Sequence, residues 1–116
     1  MATRDRQAQG AQNQSLFRDV NDRVAEFSPE QRGSLAVLCE CADTACVEPI
    51  PMTREEYETV RRIPTHFPIH AHHVDAEIER VVEREDRFWV VEKFGESGKL
   101  AVELDRRRSH GDGPGS

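Results

Sequence analysis

All three cysteines of this chain lie within eight residues, in the block Cys39-Glu40-Cys41-Ala42-Asp43-Thr44-Ala45-Cys46. Four of the five histidines follow between positions 66 and 73. Zinc in structural sites is held by four tetrahedral ligands, mostly cysteine sulfurs and histidine nitrogens. Three thiolates from one short loop and one imidazole from the histidine cluster therefore predict a zinc ion that holds the fold together.

The fourth ligand must come from outside the cysteine loop, and its candidates are His66, His70, His72 and His73. Side chains alternate across an extended strand, so His70 and His72 would share one face and His73 would oppose them. Ile69 would then lie with His73 on the core side, which favours His73. The predicted ligands are Cys39, Cys41, Cys46 and His73. The other histidines, His70 and His72 above all, stay open as alternatives.

Two other interpretations compete with a zinc site. Iron–sulfur clusters also use thiolate ligands, but three cysteines and one or two histidines suit a cluster less well. Free cysteines are often buried as small hydrophobic residues, yet the confinement of all three to one loop favours a metal. Glu40 and Asp43 lie beside the cysteines and are interpreted as solvated loop residues.

Catalytic motifs are missing from the sequence. It contains no glycine-rich phosphate loop, no H-E-x-x-H helix and no nucleophile elbow. The signature of the zinc deaminases is missing as well. The sequence therefore predicts a protein that is not an enzyme and has no catalytic residue.

The chain has 116 residues, which is enough for one domain. Residues 1–14 have almost no large apolar side chain, and residues 105–116 are charged and then rich in Gly, Pro and Ser. Such segments bury too little apolar surface to fold, so both are predicted to be disordered tails. Residues 15–104 are the single predicted zinc-binding domain, whose small core calls for a metal staple.

Charge and hydropathy point to the expected environment and partners. The net charge of −6 disfavours nucleic acid, and the basic cluster Arg106-Arg107-Arg108 is interpreted as part of a solvated tail. No apolar run approaches the roughly 20 residues of a membrane span, and no secretory signal is recognisable. We therefore expect a cytoplasmic protein, in a compartment where thiols stay reduced, with a protein partner.

The expected fold class is α+β: a small antiparallel sheet of two hairpins, with an N-terminal helix and a central helix, pinned by the zinc site. Residues 15–27 are predicted to form the first helix, capped by Ser15. Its apolar stripe, expected to pack on the sheet, is Leu16, Val20, Val24 and Phe27. Residues 28–31 predict one short helical turn.

The remaining elements follow from local patterns. Residues 35–40 and 47–52 are predicted to pair as a hairpin with the cysteine loop at its tip, and the prolines of the second strand place it at an edge. Thr53-Arg54-Glu55-Glu56 is a capping box for the central helix, whose apolar residues are Tyr57, Val60 and Ile63. Residues 66–70 are expected to be extended.

The last part of the chain is ambiguous at the level of pattern. Residues 77–84 and 87–94 favour a second hairpin over a helix followed by a strand, because the second segment is aromatic and β-branched. Residues 95–98 (GESG) predict a break, after which residues 99–104 add a short final element.

The segments V-L-C-E-C-A-D-T-A-C-V-E-P-I-P-M-T-R-E-E-Y-E-T-V-R and H-V-D-A-E-I-E-R-V-V-E-R-E-D-R-F-W-V-V-E-K resemble a group of small, uncharacterised actinobacterial proteins. The likeness runs from about Phe17 to Lys93, and its specific part is the C-E-C-x-D-x-x-C block followed by E-Y-E-x-V-R. In that group a single histidine sits at the place of His73, so the resemblance implies His73 as a ligand. This chain departs by adding His70 and His72. The resemblance implies a metal-bearing cytoplasmic module and nothing catalytic.

Three functions are consistent with these observations. A zinc-stabilised interaction or regulatory module is the first. A thiol-based redox or zinc-release sensor is the alternative, because neighbouring thiolates are oxidisable and loss of zinc would unfold the site. A small zinc enzyme is the third, and it would need an open coordination position for water.

Overall fold

A computed structural model of the chain describes residues 2–27, 35–43 and 45–107. Along these residues the elements are α1 (Ala2–Phe27), β1 (Leu35–Leu38), β2 (Pro49–Met52), α2 (Arg54–Arg61), β3 (His66–Ile69), β4 (Glu79–Arg84), β5 (Trp89–Lys93) and α3 (Gly95–Glu103). Strands β1 and β2 form a two-stranded antiparallel sheet, and a three-stranded antiparallel sheet has the order β3-β5-β4. The predicted α+β class is confirmed. The helical turn predicted at residues 28–31 lies outside the described residues.

The β1–β2 hairpin carries the cysteine loop at its tip, as the sequence predicts. Leu35 pairs with Met52 and Leu38 pairs with Pro49. At the outer edge of β2, the carbonyl oxygen of Pro49 lies 3.0 Å from the His70 Nε2 atom. The carbonyl oxygen of Pro51 accepts a hydrogen bond of 2.8 Å from Arg87. This edge strand is therefore tied to the rest of the molecule by side chains.

The second sheet contains the predicted hairpin, now β4–β5, and the extended segment, now β3. The register of the β4–β5 pair shifts between Val81 and Glu83, where β4 has a β-bulge. The free edge of β3 faces the cysteine segment, because the backbone N–H of Glu40 donates to the Pro68 carbonyl oxygen at 3.0 Å. This single backbone bond links the segment after β1 to the three-stranded sheet.

Helix α2 begins as the sequence predicts. The Thr53 hydroxyl accepts from the Glu56 backbone N–H, and the Glu56 carboxylate accepts from the Thr53 backbone N–H, which completes the capping box. Tyr57 and Val60 are buried in the core, whereas Ile63 lies beyond the helix end and is largely exposed. The described helices include none that combines the length and the apolar character of a bilayer span.

Helix α1 corrects two predictions. It begins at Ala2 rather than at Ser15, so Ser15 is not a cap and is buried within the helix. Its predicted apolar stripe points outward: the exposed fractions of Leu16, Val20 and Phe27 are 58%, 40% and 77%. Only Val24 of that stripe packs against the core. Hydrophobic periodicity failed here because another face of the helix has polar partners in the interior.

That inner face consists of side chains that are at most 6% exposed: Gln14, Ser15, Arg18, Asn21 and Asp22. Asp22 accepts hydrogen bonds from the Arg61 guanidinium at 2.8 and 2.9 Å and from the Tyr57 hydroxyl at 2.6 Å. Arg18 donates to the carbonyl oxygens of Pro64 and His66. Helix α1 thus packs on the protein mainly through charged side chains and carbonyl groups. Apolar contacts from its last turns contribute less to this packing.

The C-terminal residues also differ from the sequence analysis. Asp105, placed in a disordered tail, is 3% exposed and binds both Arg18 and Arg61. Arg106 pairs with Glu26, and Arg107 pairs with Glu58. These two arginines are therefore not simply solvated, because acidic side chains distant in sequence lie next to them. Arg108 is outside the described residues.

Residues 95–98, predicted to break the chain, form the first turn of α3. Gly95 has a φ of 60°, which suits glycine where the chain turns from β5 into the helix. A Cβ atom at Gly98 would lie 2.9 Å from the Lys93 carbonyl oxygen. Glycine at that position permits close packing of α3 on β5 instead of interrupting the helix.

We predict that Asp22→Asn lowers the free energy of unfolding by roughly 3 kcal/mol, because it breaks a buried ion pair and leaves Arg61 short of a partner. Leu16→Ala, on the outer face of the same helix, should change it by no more than about 0.5 kcal/mol. Urea denaturation of the metal-loaded protein measures both values. The reverse order would mean that α1 packs with its apolar stripe inward.

Candidate metal centre

The first two cysteines are placed by the end of β1. The Cys39 backbone N–H donates to the Glu48 carbonyl oxygen at 2.9 Å, so hairpin pairing continues one residue beyond the strand. The Glu40 N–H then turns to β3, as described above. Cys39 and Cys41 follow one another on this bent segment and are 0% and 2% exposed. The bend gives two thiols of a C-x-C sequence access to one point.

A turn returns the third cysteine to the same point. The Asp43 carboxylate accepts a hydrogen bond of 2.9 Å from the Ala45 backbone N–H, and the Asp43 carbonyl oxygen accepts one of 3.0 Å from the Cys46 N–H. Aspartate commonly initiates such turns by bonding to the backbone two residues ahead. Cys46 is buried, with 8% of its surface exposed.

His73 reaches the cysteines through a turn and not through a strand. Strand β3 ends at Ile69, and the His73 backbone N–H donates to the His70 carbonyl oxygen at 3.1 Å. His72 has a φ of 72°, which together with this bond indicates a type II turn. His73 was favoured because side chains alternate in a strand, and that reason is wrong, since His73 lies in a turn. His73 is nevertheless the histidine that lies next to the cysteines.

The four predicted residues form one cluster. The Sγ atoms of Cys39, Cys41 and Cys46 and a ring nitrogen of His73 all lie within 4.8 Å of one another. The His73 Nδ1 atom is 3.5 Å from Cys39 Sγ and 3.8 Å from Cys46 Sγ. Zinc bond lengths at a tetrahedral angle require a sulfur–nitrogen separation of about 3.6 Å. The cluster thus has the donor set and the spacing of a mononuclear Cys3His site.

The three other candidate histidines have different partners. The His70 ring contacts the Pro49 carbonyl oxygen and lies 3.5 Å from the Glu48 carboxylate. The His72 ring packs on Trp89, with 4.6 Å between ring centroids. His66 pairs with Glu92 at 3.4 Å.

Backbone amides surround the sulfurs. The His70 N–H donates to Cys39 Sγ at 3.2 Å. Backbone hydrogen bonds also reach Cys41 from Asp43 and Cys46 from Glu48, and both favour the thiolate. Burial nevertheless raises the pKa of the Cys46 thiol above its ordinary value. The hydrogen bond between Cys39 and Cys41 lowers the pKa of Cys41 and raises that of Cys39. Amide donors of this kind stabilise thiolates, which are the form that binds a metal.

Glu40 differs from the sequence interpretation, whereas Asp43 is exposed as expected. Glu40 is 0% exposed, and burial raises the pKa of its carboxyl group to about 7. Its Oε2 atom accepts a hydrogen bond of 2.6 Å from Asn21, and its backbone carbonyl oxygen accepts one of 2.7 Å from Gln14. Sequence reasoning missed these supporting residues, because their partners are distant in sequence.

Comparison of the chain with family models, with curated proteins and with solved structures finds no match.

We predict that His73→Ala weakens zinc binding by more than about 100-fold, beyond the usual effect of losing a residue that only supports a ligand. His70→Ala should keep nearly wild-type affinity, because His70 contacts the centre through its backbone N–H. Competition with a chromophoric chelator measures both affinities. Equal losses in the two variants would contradict the assignment of His73 as the ligand.

We predict opposite outcomes for two substitutions at His72. His72→Gly should retain zinc binding, because glycine adopts a positive φ without strain. His72→Val should weaken binding by about tenfold, because a β-branched residue is strained in that conformation and shifts the turn that carries His73. If His72→Gly lost zinc as completely as His73→Ala, the His72 ring would itself be a ligand.

Proposed function

We propose that this protein is a zinc-stabilised interaction or regulatory module without catalytic activity. The observation that carries the proposal is the buried cluster of three thiols and one imidazole at the spacing of a single tetrahedral ion. Four protein ligands fill the coordination sphere of zinc, so a substrate or an activated water would have no position on the ion. A closed site of this kind contributes to folding, not to chemistry.

Zinc fits the donor set better than an iron–sulfur cluster. In a cluster the thiolates are distributed over two or more iron atoms, which spreads the cysteine sulfurs apart. Here all four ligand atoms lie within 4.8 Å of one another. That spacing favours one ion, and the combination of soft thiolates with one imidazole favours zinc among the common divalent metals.

The proposed setting is the bacterial cytoplasm, and the proposed partner is another protein. Three unpaired cysteines persist as metal ligands where thiols stay reduced. The net charge of −6 disfavours nucleic acid. Two of the arginines in the basic cluster, Arg106 and Arg107, are paired with acidic side chains of the protein itself.

A thiol-based redox or zinc-release sensor is the second candidate, favoured by the arrangement of the sulfurs. Hydrogen bonds connect Cys41 with both Cys39 and Cys46. Cys46 is the most exposed of the three at 8%, which places it on the approach to the site. Two-electron oxidation by peroxide would join two of these thiols in a disulfide, reduce the peroxide to water and release the ion.

We predict that the protein purified without chelators contains about one zinc per chain, measured by elemental analysis. Excess chelator should cause a large loss of circular dichroism that added zinc reverses. The reason is that structural zinc contributes roughly 10 kcal/mol or more, while a domain of this size has only about 5 kcal/mol of net stability. Metal-free protein with an unchanged melting temperature would contradict the proposal.

One further measurement separates the module from the sensor. Zinc release is followed after addition of a small excess of hydrogen peroxide, with Cys46→Ser as the matched variant. A structural site should release zinc slowly and only on unfolding. Release within minutes, recovered by a thiol reductant, would favour the sensor.

A further inference from the structure

The outer and inner faces of α1 are reversed relative to an ordinary amphipathic helix. Its exposed residues include Leu16, Val20 and Phe27, whereas Gln14 and Asn21 are buried. Helices of small domains usually dock through apolar side chains. A helix that docks through polar side chains depends on the geometry of its hydrogen-bond partners, because a misplaced polar partner leaves a buried group unsatisfied.

Two of those partners, Leu38 and Glu40, belong to the segment that carries the first metal ligands. The Asn21 side-chain amide accepts from the Leu38 backbone N–H at 2.8 Å and donates to the Leu38 carbonyl oxygen at 3.0 Å. It also donates to the Glu40 carboxylate, and Gln14 donates to the Glu40 carbonyl oxygen. Leu38 and Glu40 flank Cys39, and Glu40 lies between the two ligands of the C-x-C sequence.

Some of the polar atoms buried where α1 packs on the protein have no hydrogen-bond partner. In the part of the chain that the structure describes, the buried side-chain atoms without a hydrogen-bond partner are Gln14 Oε1, Ser15 Oγ, Arg18 Nε, Asp19 Oδ1 and Glu40 Oε1. Four of these atoms belong to α1, and the fifth belongs to the residue that Asn21 holds. Elements with such contacts open at lower free energy than a well-packed core.

Separation of α1 would also expose little of the apolar core. Beneath its middle lie the Tyr57 hydroxyl, the Arg61 guanidinium and the Asp105 carboxylate. Among the helix side chains that the structure describes, only Val24 and Ala25 belong to the apolar cluster or pack against it. The Arg18 guanidinium also lies over the buried Phe67 ring, 3.7 Å from its centroid. The surface that the middle of α1 covers is therefore mostly polar, with one aromatic ring.

We propose that the metal centre controls the docking of α1 through the Leu38–Glu40 segment. With Cys39 and Cys41 held on the ion, the backbone of this segment presents the groups that Asn21 and Gln14 bind. When the ion leaves, the segment relaxes, Asn21 loses its partners, and Gln14 keeps only the Glu79 carboxylate. Helix α1 then separates before the three-stranded sheet opens. This inference rests on the proposed zinc site. In it, binding and release of zinc control whether α1 is docked.

The coupling is tested in the zinc-loaded full chain with Asn21→Ala. Because coupling between two equilibria is reciprocal, this variant should bind zinc about tenfold more weakly, although Asn21 is not a ligand. In hydrogen exchange followed by mass spectrometry, amides of residues 14–27 should exchange at least about tenfold faster, with residues 89–93 unchanged. Leu16→Ala, on the outer face of the same helix, is the matched control and should leave both readouts unchanged.

The order of events is tested in the wild-type chain by pulse-labelling exchange after addition of excess chelator. Residues 14–27 should lose protection in an earlier phase than residues 89–93. A single phase for both segments would overturn the proposal, as would wild-type exchange and zinc affinity in Asn21→Ala. These failures differ from failure of the proposed function, which elemental analysis would reveal as protein without zinc.

Discussion

The hydrogen bond from the Glu40 backbone N–H to the Pro68 carbonyl oxygen joins the two sheets of this protein. It aligns the segment after β1 with the free edge of β3. The alignment places Cys39 Sγ next to the His70 N–H and brings the following turn, with His73, over the sulfurs. The candidate metal centre therefore lies between the two sheets. Three ligands come from the loop of the β1–β2 hairpin, and the fourth comes from the turn after β3.

The second constraint is the set of charges buried under α1. Burying an ion pair costs solvation energy, which its partners offset only when the geometry is good. Arg61 meets this condition by binding two carboxylates, those of Asp22 and Asp105, at distances between 2.7 and 3.0 Å. Because these three residues come from α1, α2 and the chain after α3, the network fixes the relative positions of three helical elements. The network determines how these elements are arranged more than it raises the free energy of unfolding.

Sequence reasoning could predict the elements whose cause is local. The α2 capping box, the β1–β2 hairpin and the aromatic β5 strand follow from residues close together in the chain. The three clustered cysteines could also be predicted, because they lie within eight residues, whereas the strand alternation that favoured His73 does not exist in the fold. The turn at His72 could not be predicted, since histidine is only modestly favoured at a positive φ.

The orientation of α1 was beyond sequence reasoning for another reason. Its periodicity offers two faces, and the apolar face is the conventional choice. The polar face is the buried one because Arg61, Asp105 and Glu40 supply partners. These partners lie 19 to 87 positions along the chain from the α1 residues that they contact. Such complementarity is a property of the assembled fold. The same holds for Gly98, whose role depends on the Lys93 carbonyl oxygen against it.

The prolines of β2 affect the tendency of the protein to self-associate through its strand edge. An unpaired strand edge normally templates the addition of another strand, which is a route to aggregation. Pro49 and Pro51 have no N–H to donate, and their carbonyl oxygens are already in contact with His70 and Arg87. The strand beside the cysteine loop is therefore a poor template for cross-strand association. The hairpin that carries the three buried thiols therefore has little tendency to recruit a strand from another copy.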